Sequence, residues 1–448
     1  MLSDTRIGAL FARYAVPALI AMLVSGTYQI IAGFFVGRYI GSDGLAAINL
    51  AWPMVGVLLA VGLMVGIGIG SHVSLSRGAG KGKLAAAYIG QLPLLIIIPG
   101  LLLSVALFYG GRAMLALQGA EGRVLDYGHD FLNVIAFGAP LVLGSIAVPY
   151  LMRNLNAPRL ATTFMVIGAL MNIALDYLFI VILKMGLFGV ALATLIAEST
   201  AMVLALCYVF SRRSPVRIAK SDFTTRGDLC WKICKNGSSS LFMYVYISVI
   251  IVAYNFMLLK HGGAIEVAAY AIVGYLLTFY YLLSEGLAHG MQPLVSRFFG
   301  ARDVASTGKI LRLALMYSVG GGIVYTLAML LFPTAFSDFF AGDDRALSEV
   351  TAVAIRLSLF MLFTQGFFVI TEAFFQSIGE GHKALVITIC NMVIQLPFLF
   401  ILPHFWGVNG IWLAMPISAV VLAVPVFFLL LKQIRLINRR AMPIETTV

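Results

Sequence analysis

The sequence has few charged residues and no polar stretch long enough to form a separate soluble domain. Only 11% of its 448 residues are charged, whereas 61% are hydrophobic. This balance lies far outside the composition of soluble domains. The sequence therefore predicts an all-α polytopic membrane protein that is embedded in a lipid bilayer.

Enzyme motifs and nucleotide-binding motifs are also missing. The sequence has no H-E-x-x-H, G-x-S-x-G or Walker motif, and its six histidines are dispersed. We therefore predict that the protein is not an enzyme, has no catalytic residues and uses no cofactor.

Cysteine pairs and basic patches are absent as well. None of the four cysteines belongs to a C-x-x-C pair, so a disulfide framework is not indicated. The net charge is +11, but the basic residues are scattered among short loops rather than gathered on one face. We predict no nucleic-acid partner.

Apolar runs long enough to cross a bilayer recur along the whole chain. We predict twelve spans, near residues 11–38, 46–76, 84–109, 125–151, 160–183, 187–210, 236–259, 264–294, 307–332, 347–376, 384–403 and 409–432. The longest polar stretch divides them six and six. The predicted units are an N-terminal six-helix lobe, a cytoplasmic linker and a C-terminal six-helix lobe, at residues 1–210, 211–235 and 236–448.

Basic residues are distributed unequally between the two sides of the predicted membrane. With the N-terminus inside, seven of the 30 Lys and Arg residues lie on the outer side and the other 23 lie inside. The positive-inside rule then predicts a multi-pass protein of the cytoplasmic (inner) membrane with both termini cytoplasmic. The N-terminus has no small-residue cleavage site before its apolar run, so we expect the first helix to be retained.

The two halves of the sequence look like repeats. Residues 76–81, after the second span, recur as residues 296–301 after the eighth, and residues 186–189 recur as residues 407–410. Because six spans separate the copies, both insert with the same orientation, related by an axis along the membrane normal. Such repeats enclose a shared cavity and favour alternating access over a passive channel.

Four polar residues interrupt the fifth and sixth spans near the middle of the bilayer. Asn172 and Asp176 are one helical turn apart, and so are Thr194 and Glu198. Counted from a turn at residues 184–189, Asp176 should lie opposite Thr194, and Asn172 opposite Glu198. An ionised carboxylate at this depth costs about 2.5 to 3.5 kcal/mol on insertion scales. The pattern predicts a cation or proton site, with Na⁺ at Asp176 as the candidate metal; the alternative is hydrogen bonding that only packs the helices.

A second group of ionisable side chains lies in the C-terminal half. Glu285 and His289 are one turn apart in the eighth span, and Glu372 lies in the tenth. They predict a second carboxylate site, which would bind an ion or attract a cationic substrate. The alternatives are solvated residues lining an inward vestibule, or a local Glu285–His289 hydrogen bond without a transport role.

Aromatic and amide side chains in the spans are the candidates for a substrate cavity. Aromatic faces suit flat or cationic ligands, and amides in lipid need a protein or water partner. For any single aromatic ring, ordinary packing is the alternative. The candidates are Tyr28, Gln29, Phe35, Tyr244, Tyr246, Asn255, Tyr275, Phe279, Gln292, Asn391 and Gln395.

Three segments carry a family resemblance. They read M-R-N-L-N-A-P-R-L-A-T-T-F-M-V-I-G-A-L-M-N-I-A-L-D-Y-L-F-I at residues 152–180, G-L-A-H-G-M-Q-P-L-V-S at residues 286–296 and F-F-Q-S-I-G-E-G at residues 374–381. They resemble the fourth-to-fifth-span, eighth-span and tenth-span signatures of the multidrug and toxic compound extrusion (MATE) family. With the repeat spacing, the resemblance covers essentially the whole chain.

The resemblance implies two six-helix lobes around a central cavity and efflux of bulky, often cationic or amphipathic compounds in exchange for H⁺ or Na⁺. Within it, Asn172, Asp176 and Thr194 match the family's cation site in the N-terminal lobe. Many members carry an aspartate in the first span where this chain has Ala32. Glu198 is the candidate for the missing carboxylate.

The sequence as a whole predicts a secondary active antiporter for multidrug efflux. Its expected partners are small-molecule organic substrates and the lipid bilayer, and we expect a monomer. The alternative is a flippase for a lipid-linked headgroup from the same superfamily. A flippase would hold phosphates with deep Arg or Lys side chains, and the first, seventh and eighth spans have none.

Overall fold

The structure is a computed structural model that describes residues 4–341 and 344–441. Within these ranges all regular secondary structure is helical, and no β-strand occurs. The ends of the chain, residues 1–3 and 442–448, lie outside the described residues. The prediction that both termini are cytoplasmic concerns these residues and stays a prediction.

The first half of the chain, up to residue 210, contains eight α-helices and one π-helical turn. The helices are α1 (Asp4–Tyr39), α2 (Ser42–Gly78), α3 (Gly82–Gly90), α4 (Leu92–Leu117), α5 (Gly122–Phe137), α6 (Ala139–Asn154), α7 (Pro158–Asp176) and α8 (Gly186–Val209). The π-helical turn, Tyr177–Ile182, continues directly from α7. Lys184 and Gly186 then adopt positive φ angles of 52° and 63°, and the chain reverses into α8.

The second half contains nine α-helices. They are α9 (Gly227–His261), α10 (Ala264–Gly300), α11 (Val304–Leu331), α12 (Pro333–Ala341), α13 (Arg345–Leu359), α14 (Phe363–Ser377), α15 (Gly381–Ile401), α16 (Pro403–Trp406) and α17 (Val408–Ala441). The predicted linker, residues 211–235, therefore includes the first turns of α9. Before α9, Gln91 holds the linker against the first half, since its side chain donates to Thr224 O and accepts from Arg226 N, both at 3.0 Å.

Twelve membrane spans are present in the described part of the chain, as predicted. Ten helical segments are long and apolar enough to cross a bilayer alone, and two bent pairs supply the other two spans. The pairs are α5 with α6, bent by 62°, and α13 with α14, bent by 46°. They form the fourth and tenth spans, which are equivalent in the two repeats. Pro140 at the start of α6 lacks a backbone N–H, which helps to break the first pair.

The first helix of each half packs partly in the hydrophobic core of the other half. Ile7, Phe11, Tyr14 and Ala15 of α1 belong to a cluster whose other buried residues come from the second half. Reciprocally, Leu229 and Ile233 of α9 belong to the large cluster of the first half. A third cluster lies entirely within the second half. The two halves are therefore joined by exchanged helix ends as well as by the linker.

The halves approach each other closely where α2 and α10 end, and we call this the basic end because Arg77, Arg153 and Arg297 lie there. A Cβ atom on Gly78 would lie 2.0 Å from the carbonyl oxygen of Arg297, and one on Gly300 would lie 2.1 Å from that of Leu75. Only glycine permits helices to cross at such distances. In this structure the two halves are closed at the basic end.

Candidate functional site

The polar hairpin forms a buried site between α7 and α8. Asn172 and Asp176 are 3% and 0% exposed. The hydrogen-bonding groups fix the orientation of the Asn172 amide: its oxygen accepts from Thr194 N–H at 3.3 Å, and its NH₂ donates to Asp176 Oδ2 at 3.1 Å. Asp176 Oδ1 is buried and has no hydrogen-bond partner among the described residues. The structure thus brings together the three residues matched to the family's cation site.

The predicted register of the hairpin is wrong by about one helical turn. Asn172, rather than Asp176, lies opposite Thr194, and Glu198 instead accepts a hydrogen bond from Ser145 Oγ at 3.3 Å. The π-helical turn after Asp176 contributes to this shift. A π-helix has more residues in each turn than an α-helix, so residues 177–182 advance the chain less along its axis than the prediction assumed.

Helix α1 covers the open side of this hairpin. Tyr28 lies within electrostatic range of both Glu198 and Asp176. Further along α1, the ring of Phe35 packs edge-on against Tyr177, with 6.4 Å between the centroids. Because α1 contacts the hairpin at these points, a change of charge at Asp176 would alter the interaction between the hairpin and α1.

The chemistry of the hairpin suits a hard monovalent cation or a proton. Its oxygen donors are a carboxylate, an amide and a hydroxyl, which are ligands that hard cations prefer. The described residues contain no group of three or more His, Cys, Asp or Glu side chains that could hold a metal ion. Na⁺ at Asp176 and a contribution from Glu198 remain predictions.

A second site lies between the halves, in a small cavity near the basic end. Glu285, His289 and Gln292 of α10 and Glu372 of α14 line it, together with apolar residues of α2. The structure therefore brings the predicted second carboxylate group into one cavity. Its volume is about 60 Å³, which is room for a few waters. Pockets for drug-sized ligands occupy roughly 300 to 1,000 Å³.

His289 pairs across the interface rather than with Glu285. Its Nε2 lies 3.1 Å from the hydroxyl of Tyr150 on α6, and the two rings meet edge-on with centroids 4.7 Å apart. The guanidinium of Arg153 lies over the ring of Tyr150, 4.9 Å from the ring centroid. The predicted alternative, a local Glu285–His289 hydrogen bond, is not formed.

A parallel link joins Gln292 to the first half. Asn154 Nδ2 donates to Gln292 Oε1 at 3.0 Å, and Ser74 Oγ donates to Asn154 Oδ1 at 2.7 Å. His289 and Gln292 are one turn apart on α10, and both line the cavity. Whatever occupies the cavity therefore touches the same side chains that close the basic end.

Tyr150→Phe is expected to loosen this closure while keeping the packed ring. It removes one buried hydrogen bond, with a net value of about 0.5 to 1.5 kcal/mol. The fraction of molecules open at the basic end should rise, as measured by spin-label distances between the halves. Tyr317→Phe is the control, because Tyr317 is exposed on α11 and only stacks on Phe11. An unchanged distance distribution in Tyr150→Phe would contradict the role given to this bond.

Most of the other predicted cavity residues lie elsewhere. Gln395 is 2% exposed and links Tyr246, at 2.5 Å, to Tyr254, at 3.1 Å, inside the second half. Tyr275 stacks on Phe340 of α12. Phe279 packs against a tyrosine of α11. Tyr244, Asn255 and Asn391 are partly exposed, and Gln29 is exposed. Of the eleven candidates, Gln292 lines the small cavity; a substrate-binding role for any of them stays a prediction.

Several functional candidates were missed by the sequence analysis. They are side chains on other helices that contact the residues of the two sites directly or through one another: Ser74, Ser145, Tyr150, Arg153 and Asn154. Arg153 and Asn154 lie inside the quoted segment 152–180, so an arginine in an apolar stretch was a visible signal. The serines and Tyr150 gave none, because their partners are distant in sequence.

Comparison with known protein families decides the classification. The MatE family model matches residues 17–178 and, a second time, residues 240–401. The chain belongs to the MatE family. The double match places one copy of the MatE repeat in each half, in agreement with the internal repeats seen in the sequence.

Curated relatives of this MatE protein align over most of its length. Multidrug export protein MepA of Staphylococcus saprophyticus is 24% identical over 401 residues, which are 89% of this chain and 88% of the relative. The protein of the same name from Staphylococcus aureus strain MRSA252 is 25% identical over 406 residues, with the same coverage.

Solved structures share the fold. A MATE structure in the bent conformation has a TM-score of 0.91 at 22% identity and covers 98% of this chain and 99% of that chain. An outward-facing multidrug resistance MATE transporter of the MOP superfamily has a TM-score of 0.88 at 24% identity, and a MOP superfamily transporter from Pyrococcus furiosus has 0.89 at 23%; both cover 96% of each chain. The predicted MATE fold of twelve membrane helices is confirmed.

Proposed function

We propose that this MatE protein is a secondary active antiporter that exports bulky cationic or amphipathic organic compounds in exchange for H⁺ or Na⁺. The observation that carries the proposal is the buried Asp176 carboxylate, with one oxygen free of any hydrogen bond and no ion-pair partner among the described residues. An ionised group in this position is costly unless something binds it. Export of drugs is supported by the names of the curated relatives.

Ion binding at Asp176 is the proposed driving event. A proton or Na⁺ that enters from the outer side neutralises the carboxylate and removes the free-energy cost of a buried charge. Since α1 contacts the hairpin through Phe35 and Tyr177, the neutralised hairpin and α1 repack together. The repacked state has a lower affinity for the exported compound and releases it, and loss of the ion on the inner side resets the protein.

The cavity at the basic end is the proposed entry site for the exported compound. Its carboxylates, Glu285 and Glu372, attract organic cations from the cytoplasm. Because the closed cavity holds only a few waters, the compound enters after the halves separate. The acidic lining also favours this proposal over a headgroup flippase, since carboxylates repel lipid phosphates and no Lys or Arg is among the described residues that line the cavity.

The proposal includes a location and an oligomeric state. The unequal distribution of basic residues supports an inner-membrane protein with cytoplasmic termini. A monomer is the proposed oligomeric state.

Transport by the purified protein in liposomes tests this function. We expect an imposed pH gradient or an imposed Na⁺ gradient to drive ethidium against its own concentration gradient. Accumulation that is equal with and without both gradients would contradict an antiporter and indicate a passive pore.

Glu285→Gln and Glu372→Gln test the entry site in the same liposomes. Each change should raise the KM for ethidium by about tenfold, the effect of losing roughly 1.4 kcal/mol of binding free energy, while gradient dependence persists. Glu380→Gln is the matched control, because Glu380 lies in the loop after α14 and pairs with Lys383 at 3.5 Å. An unchanged KM in both variants would remove the cavity carboxylates from substrate binding.

A further inference from the structure

Three basic residues near the end of α17 lie on one face of the helix. Lys432, Arg435 and Arg439 follow each other at spacings of three and four residues, so they form a stripe two turns long. All three are exposed. Among the described residues, no carboxylate forms an ion pair with any of them, whereas Lys383 of α15 lies 3.5 Å from Glu380. The stripe therefore carries three positive charges that the described chain does not neutralise.

The same face of α17 is apolar nearer the middle of the span. Val421, Val424 and Phe428 precede the basic residues at the same helical spacing and are 48%, 55% and 63% exposed. On the opposite face, Leu430 and Ile437 are buried in a hydrophobic core with residues of α10 and α14. The exposed face of α17 thus changes from apolar to cationic along a single line.

Helix α17 is long enough to carry the basic residues out of the hydrocarbon. Its 34 residues span about 51 Å at 1.5 Å per residue, whereas the hydrocarbon core of a bilayer is about 30 Å thick. The apolar part of the exposed face therefore contacts acyl chains, and the basic stripe after Phe428 lies at the level of the lipid headgroups.

A groove on this face includes the change from apolar to cationic. Its volume is about 410 Å³, which falls within the roughly 300 to 1,000 Å³ of small-molecule sites. The described residues that line it are Phe428, Leu431, Lys432, Arg435, Leu436 and Arg439. Three of these side chains are apolar and three are basic. Such a lining matches an amphiphile that combines an acyl chain with an anionic headgroup.

The groove lies on the same side of the membrane as the basic end. Gln433, on the buried side of α17, accepts a hydrogen bond from Lys383 Nζ at 2.7 Å. Lys383 follows the loop after α14, and a Cβ on Gly379 of that loop would lie 3.4 Å from the side chain of Leu75, near the end of α2. The end of α17 is therefore connected to the loop that contacts the first half.

We propose that this groove binds an anionic phospholipid from the leaflet at the basic end. Lys432, Arg435 and Arg439 hold the phosphate through charge-assisted hydrogen bonds. An acyl chain lies against Phe428 and Val424 and runs toward the middle of the bilayer. A zwitterionic lipid binds more weakly, because its own cationic group repels the three basic side chains. Clusters of Lys and Arg beside a membrane helix favour anionic lipids for the same reason.

A bound lipid stabilises the second half of the protein. Gln433 and the buried face of α17 are held by the protein, while the lipid adds contacts to the opposite, exposed face. A ligand that binds only the folded state raises its stability. The melting temperature of the purified protein should therefore rise with the concentration of an anionic lipid.

Native mass spectrometry of the purified full-length protein in detergent tests the proposal. The protein is titrated with phosphatidylglycerol, which is anionic, and separately with phosphatidylcholine, which is zwitterionic and has the same acyl chains. We expect saturable binding of phosphatidylglycerol with at least about tenfold higher affinity than phosphatidylcholine. In the triple variant Lys432→Gln/Arg435→Gln/Arg439→Gln, the affinity for phosphatidylglycerol should fall at least about tenfold, because the contacts to the headgroup are lost.

A charge-matched control and an apolar variant keep the test decisive. Arg212→Gln/Arg213→Gln/Arg217→Gln removes three exposed arginines of the linker and should leave the affinity for phosphatidylglycerol unchanged. Phe428→Ala keeps every charge and should weaken binding several-fold, because the acyl chain loses a contact. Inorganic phosphate at constant ionic strength should not displace the lipid.

Three results would overturn the proposal. Equal affinity of the wild type for the two lipids would remove the role of headgroup charge. An equal loss in both triple variants would mean that total positive charge, and not this groove, holds the lipid. Displacement by inorganic phosphate would indicate a site for free anions instead of a lipid. None of these results bears on ion-driven export at Asp176.

Discussion

Asp176→Asn is expected to reduce gradient-driven efflux to the background of protein-free liposomes. The substitution keeps the size of the side chain and its contact with Asn172 but removes the only ionisable group of that buried hairpin pair. A permanently neutral side chain has no charge for an ion to neutralise. Ion binding can therefore no longer shift the protein from one conformation to the other. Ethidium efflux under each imposed gradient measures the loss, and a sensitive bacterial host should lose its drug resistance.

The matched control is Asp126→Asn. Asp126 is an exposed carboxylate on α5, paired with Arg112 at the surface, and such pairs contribute little to stability. Its removal should leave efflux unchanged. Glu198→Gln adds a graded comparison: if Glu198 replaces the carboxylate that Ala32 lacks, its loss should lower coupling strongly. Wild-type efflux by Asp176→Asn would show that the driving ion binds elsewhere.

The double variant Gly78→Ala/Gly300→Ala is expected to open the basic end. Each new methyl group would lie about 2 Å from a backbone carbonyl oxygen of the opposite helix, a contact that no side-chain rotation relieves. Overpacking of this kind costs about 1 to 3 kcal/mol at each site. The two together should lower the ratio of closed to open molecules by about 100-fold. Efflux should fall because the protein can no longer close on the inner side.

Spin labels at residues 159 and 302, both exposed and in different halves, measure this opening by electron paramagnetic resonance. The expected result is a longer distance than in the wild type. Gly308→Ala is the control, because a Cβ on that residue of α11 meets no atom within 4 Å. A wild-type distance in the double variant would mean that the closed contact of α2 and α10 adapts to the methyl groups, and the predicted loss of efflux would then have no basis.

Much of the fold follows from the sequence because lipid imposes simple rules. Every span must satisfy its own backbone, so apolar runs of sufficient length become helices, and the twelve predicted spans are present. The hairpin residues were also predictable, since an aspartate one turn after an asparagine in an apolar run is rare and costly. The family signatures then pointed to the same residues.

What the sequence could not predict depends on contacts between distant segments. Tyr150 and His289 are 139 residues apart, and Ser145 and Glu198 are 53 apart. Their pairing is decided by how helices cross and rotate, which residue periodicity does not specify. The π-helical turn after Asp176 has no sequence signal that we know, yet it shifts the register of the hairpin. The direction of the Tyr275 ring, which stacks on Phe340, could not be read from the sequence either.

The exchange of α1 and α9 between the two cores has a consequence during synthesis. Ile7 and Phe11 leave the ribosome first, but the residues they pack against in α10 and beyond are made hundreds of residues later. The hydrophobic core of the first half is therefore incomplete in the bilayer until α9, which contributes Leu229 and Ile233, has been synthesised. Stalled or truncated chains would present this unfilled surface to membrane chaperones and proteases.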